Sequence, residues 1–111
     1  MKKPALLKLT ISLQQITMLQ HFKNLTLADR LETLKKCEDK FIEFLAEAVV
    51  NVLQGVVPGI KRRDIEKFRP QIVRIISSKT SLAEQRAIFS SRKGLLLLDV
   101  IVEHVIQYFV N

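Results

Sequence analysis

The segment from Leu95 to Val110 decides what this chain can fold into. It is apolar along almost all of its length, yet Asp99, Glu103 and Gln107 recur at intervals of four and draw one polar stripe down it. A helix that is apolar all round except for one stripe has to be enclosed by other helices over most of its circumference. A membrane span needs about 20 apolar residues to cross the hydrocarbon. This segment has 16, so it reads as a core helix, and no transmembrane span is expected.

The partners for that helix are visible upstream. From Ala5 to Phe22, the residues Leu6, Leu9, Leu13, Ile16, Leu19 and Phe22 recur at spacings of three and four, the helical period. A second helix starts near Thr26, which caps with Asp29 three residues on and presents Leu27, Leu31 and Leu34 as its buried stripe. A third buries Phe41, Phe44, Leu45, Ala48, Val49 and Val52, with Glu38, Asp39 and Glu43 near its start, where the helix dipole favours carboxylates. Gly55 is placed to end it as the residue after the cap, and Val56-Val57-Pro58-Gly59 makes a turn. A fourth spans Lys61 to Ser77, with Pro70 inside the pattern, where it either kinks the helix or splits it. Lys79-Thr80 breaks the chain again. Ser81-Leu82-Ala83-Glu84 is then a capping box that opens a fifth helix running to Ser90 or Ser91. With only three Gly and three Pro to interrupt these segments, the fold class is all-α. One domain over residues 1–111 is expected, a compact bundle of five or six helices with the C-terminal helix largely buried.

Catalytic constellations are not apparent. His21 and His104 lie far apart and neither has metal-ligand spacing to Cys37. Gly55 and Gly59 flank a turn without the Lys-Ser/Thr that a phosphate loop requires. The acids sit at helix starts or within four residues of a base, as Asp29 with Arg30 and Glu32 with Lys36, and read as helix electrostatics. The chain is therefore expected to be no enzyme and to use no cofactor and no metal. The single Cys37 excludes an internal disulfide, and Thr10, Gln14, Gln15 and Gln20 break any signal-peptide core. The expected compartment is intracellular and reducing.

Charge supplies the one candidate site. The net charge is +7, and residues 55–93 carry ten bases against three acids. The bases are Lys61, Arg62, Arg63, Lys67, Arg69, Arg74, Lys79, Arg86, Arg92 and Lys93. Helix packing would bring the fourth and fifth segments together and converge these groups on one face, which neutralises phosphates without reading bases. Arginine outnumbers lysine six to four among them, which suits bidentate phosphate contact. Phe68 and Phe89 fall on apolar stripes and read as core, so the stretch lacks aromatic platforms for single strands. Sequence-specific recognition is not expected. The long apolar first and last helices motivate a second class, a protein-interaction or homo-oligomerisation module without nucleic-acid binding. Lys2, Lys3 and Lys8, together with the first amphipathic helix, motivate a third, peripheral contact with a membrane surface.

Residues 44–94 resemble the short, basic proteins encoded in Polinton-like and adintovirus-like DNA elements of animals. The resemblance rests on Asn51-Val52-Leu53, Gly55 and Val57-Pro58 at the end of a helix, then on Lys79-Thr80-Ser81-Leu82 between two basic helices and on Gly94 before a hydrophobic tail. It implies a viral or virus-derived core or minor virion component that contacts packaged DNA, in a nucleus or a virion. The chain departs from the family pattern in Ala83-Glu84-Gln85-Arg86, which keeps one base. It departs again in Lys93-Gly94, which stands where the family has a Gly pair, and in a tail that carries Asp99, Glu103 and His104. These departures weaken DNA contact and membrane affinity and add weight to a protein-interaction module as the alternative.

Overall fold

The computed structural model describes residues 13–55 and 60–110, and among them every regular element is helical. Seven helices follow one another: α1 (Leu13–Asn24), α2 (Leu27–Lys36), α3 (Asp39–Leu53), α4 (Arg62–Glu66), α5 (Arg69–Ile76), α6 (Leu82–Phe89) and α7 (Arg92–Val110). The count exceeds the expected five or six because Pro70 splits the fourth segment. Phe68 leaves helical geometry as the cap of α5, and Pro70 then occupies its first turn, where a missing N–H removes no helical bond. The first half of the segment read from Ala5, with Lys2, Lys3 and Lys8, lies outside the described residues, as does the turn over residues 56–59.

The caps form as the sequence dictates. Thr26 Oγ1 accepts from the Asp29 amide at 3.1 Å. Ser81 Oγ accepts from the Glu84 amide at 3.1 Å while the Glu84 carboxylate accepts from the Ser81 amide, closing the capping box. Replacing Ser81 with alanine is expected to lower stability by about 1 kcal/mol. Urea unfolding would register this as a lower midpoint at constant slope, and an unchanged midpoint would deny the cap its role. Gly55 follows the end of α3 with φ +75°, a left-handed conformation that favours glycine.

One hydrophobic cluster runs through the bundle. α3 contributes Phe41, Phe44, Leu45, Ala48, Val49 and Val52, the stripe read from its period. α7 lies against α1, α2, α3 and α6 and buries Leu97, Leu98, Ile101, Val102 and Val105. Its polar stripe is not idle. Asp99 and Glu103 turn toward the α1–α2 junction and pair with Arg30 and Lys23. The described part of α1 packs on α7, so the two terminal helices cover each other's apolar faces there. No helix among the described residues is long and apolar enough to cross a membrane.

α7 starts earlier than the sequence implies. Arg92, Lys93 and Gly94 are its first turn and not a connecting turn. Ser91 is the reason: its Oγ accepts from the Gly94 amide at 3.0 Å, and its own carbonyl accepts from the Leu95 amide at 2.9 Å. Only Ser90 and Ser91 separate α6 from α7, and the Ser91 hydroxyl also donates to the Ile88 carbonyl at 2.6 Å.

Candidate nucleic-acid interface

The basic stretch folds into short elements with charged groups held outward. α5 and its cap Phe68 bury Phe68, Ile72 and Ile75 against α3 and α6, which leaves the other face of α5 to solvent. Lys61, Arg63, Lys67, Arg69, Arg74, Lys79, Arg92 and Lys93 are all exposed. Arg62 opens α4, and its side chain lies outside the described set. Arg69 is held by an ion pair with Glu66, with Nε donating at 2.8 Å. Lys67 Nζ lies 5.2 Å from the centre of the Phe68 ring. The turn before α6 is fixed by Thr80 Oγ1, which donates to the Arg74 carbonyl, and by Gln85 Nε2, which donates to the Ile75 carbonyl at 2.9 Å. Seven exposed bases (Lys61, Arg63, Lys67, Arg74, Lys79, Arg92 and Lys93) thus have no acid partner among the described residues.

Arg86 is placed differently from the eight exposed bases. Its Nη1 donates to the Leu34 carbonyl at 2.6 Å and to Cys37 Sγ at 3.3 Å, and its Nη2 donates to Asp39 Oδ1 at 2.8 Å. It therefore ties α6 to the end of α2 and the start of α3. The bond from Asp39 raises the guanidinium above its ordinary pKa, partial burial opposes this, and the Cys37 thiol adds a smaller raising effect. With its fork spent on protein acceptors, Arg86 is not presented to a phosphate.

Arg30 plays the same part elsewhere, and sequence reasoning missed it. The side chain is buried, with Nε donating to the Phe22 carbonyl at 3.1 Å and Nη2 to the Lys23 carbonyl at 2.5 Å, while Nη1 meets Asp99 Oδ1 at 2.5 Å. It caps the end of α1 and pairs with α7. The expected local pairing with Asp29 does not form, because adjacent helix residues point about 100° apart. The pairing of Glu32 with Lys36 does form, at 3.3 Å. No sequence signal marks Arg30 apart from the other surface arginines; only the stripe of acids on α7 calls for a cationic neighbour.

The α5–turn–α6 unit does not present a reading head. The outward residues of α6 are Ala83, Glu84 and Ala87, and Glu84 is spent on the capping box. Base recognition uses long donors and acceptors, which these outward positions of α6 lack. Cys37 is half-buried beside Leu34 and Arg86. Among the described residues no three His, Cys, Asp or Glu side chains come together to hold a metal ion. Comparison of the chain with protein-family models, with curated proteins and with solved structures finds no match.

Proposed function

We propose that the protein binds nucleic acid non-enzymatically through the phosphate backbone, and that residues 61–93 carry the contact. The observation that supports this most is the set of seven exposed bases on α4 and its caps, on α5, in the following turn and in the first turn of α7, none of them paired with an acid among the described residues. Phosphate-directed binding needs mobile, uncommitted cations and no fixed base-reading geometry. The resemblance of residues 44–94 to proteins of virus-derived DNA elements adds a setting, a virion core or minor component in contact with packaged DNA.

Fluorescence anisotropy on a labelled duplex tests the proposal. Binding is expected at about 50 mM salt and should weaken by on the order of a thousandfold by about 200 mM if six or more phosphates are neutralised. Replacing Lys61, Arg62 and Arg63 together with glutamine should reduce affinity alike for unrelated sequences and flatten the salt dependence. Replacing Arg86 should disturb stability and not the salt slope. No binding at low salt would end the proposal, and sequence-dependent loss in the triple variant would overturn its backbone-only character.

A further inference from the structure

Two Ser or Thr residues of the chain have a base three positions before them and a base two positions after: Thr33, between Arg30 and Lys35, and Ser77, between Arg74 and Lys79. The fold treats them oppositely. Thr33 lies inside α2, and Arg30 is buried with its fork on the Phe22 and Lys23 carbonyls. Ser77 ends α5 in extended geometry, φ −67° and ψ 133°, and the chain stays non-helical until Ser81 caps α6. Arg74 and Lys79 on either side of it are exposed, with no acid partner among the described residues. The turn at Ser77 is lightly held. The Thr80 amide donates to the Ser77 carbonyl at 3.1 Å, the Lys79 amide to Ser77 Oγ at 3.2 Å, and the Thr80 hydroxyl to the Arg74 carbonyl. Opening it lifts one core side chain, Ile75, and costs less than global unfolding. Arg74, Ser77 and Lys79 can then be read as one extended strand.

We infer that Ser77 is a phosphorylation site for a kinase that reads a base on each side of the serine, and that its phosphate weakens nucleic-acid binding by the surrounding surface. Kinases select substrates by such charge patterns. Ser77 Oγ attacks the γ-phosphorus of ATP. The new O–P bond forms as the bond to the bridging oxygen breaks, ADP leaves, and the hydroxyl proton passes to the catalytic carboxylate of the kinase. The phosphate brings about two negative charges. It stands at the C-terminal end of α5, whose dipole repels it, so its counter-charges are the bases beside it. Arg74, three residues back, and Lys79, two residues on, are then committed, and both belong to the seven uncommitted bases. The loss of affinity rests on the backbone binding proposed for this surface; the modification itself does not.

In the experiment the full chain is incubated with ATP and the catalytic domain of a basophilic serine/threonine kinase. Mass spectrometry maps the phosphate, and duplex affinity is measured before and after. A phosphate on Ser77 is expected, with affinity at about 50 mM salt down on the order of tenfold and the salt slope reduced by about two. Ser77→Ala should take up none there and keep its affinity through the treatment. Ser77→Thr should restore both uptake and weakening. Arg74→Gln and Lys79→Gln should each slow uptake on the order of tenfold. No uptake, or phosphate on Thr33 or Ser78 and none on Ser77, overturns the site. Phosphate on Ser77 with unchanged affinity overturns the switch. Helical circular dichroism should survive the treatment; its loss would assign the weaker binding to unfolding and overturn the switch as well. If the untreated chain does not bind the duplex, the proposed function fails and the switch with it, and the phosphate map then decides the site by itself.

Discussion

Gly94→Ala is expected to destabilise the protein by about 3 kcal/mol, against the normal gain for such a change in a helix. At an unhindered helical position alanine is better than glycine by about 1 kcal/mol. Here a Cβ would fall 1.8 Å from the Ile88 carbonyl oxygen, 2.8 Å from its carbon and 2.9 Å from the Phe89 Cα. All three are backbone atoms, so no rotamer change relieves the clash. The backbone is also pinned: Phe89 is fully buried, and the Ile88 carbonyl is held by the Ser91 hydroxyl. Relief requires α6 to move away from α7 at the point where two residues join them. Thermal unfolding should fall by on the order of 10 °C for a domain of this size. Lys93→Ala, one residue earlier and exposed, is the matched control and should change little. Unfolding of Gly94→Ala at or above the wild-type temperature would mean that α6 and α7 do not approach as described.

How far the sequence foretells this architecture depends on the range of the interaction concerned. The Thr26–Asp29 and Ser81–Glu84 caps span three residues each and form as read. The apolar stripes of α3 and α7 are periodic, and both helices bury them. Gly55 ends α3 because the left-handed conformation there favours glycine. Pro70 was legible as a break but not as a choice between kink and split, since Phe68 decides it by packing into the core. The fifth helix reads to Ser90 or Ser91 and the last from Leu95, which leaves Arg92 and Lys93 to a connecting turn. The serine cap and the close approach of α6 override that boundary. Long-range pairing was not legible at all. Arg30 meets Asp99 across 69 residues and Arg86 meets Leu34 across 52. On the sequence both arginines look like any other surface cation. For the candidate interface the default works better: charged side chains stay in water unless paired, and eight of the ten bases read from the sequence are exposed.

Arg30→Ala is the second large effect, with an expected loss of about 3 kcal/mol. Two contributions have to be separated. One is the ion pair with Asp99, whose side chain is 47% exposed while that of Arg30 is 9% exposed. A half-exposed carboxylate keeps much of its hydration, so this part should be worth no more than about 1 kcal/mol. The other is the satisfaction of the Lys23 carbonyl at the end of α1, together with a second bond to the Phe22 carbonyl, which also accepts from the Leu25 amide at 3.2 Å. Stranding the Lys23 carbonyl beside the buried Phe22 ring costs about 1–3 kcal/mol where water cannot replace the donor. Asp99→Asn should therefore be mild. Arg30→Lys should be nearly as damaging as Arg30→Ala, because one ammonium on a flexible stem cannot reach three acceptors that a planar fork serves at once. Urea unfolding of the three variants distinguishes the cases. If Asp99→Asn loses as much as Arg30→Ala, the charge pair holds the junction of α1, α2 and α7. If Arg30→Lys retains wild-type stability, charge alone suffices and the capping role is wrong. The expected order, with both Arg30 variants low and Asp99→Asn near wild type, makes this arginine a helix cap first and an ion-pair partner second.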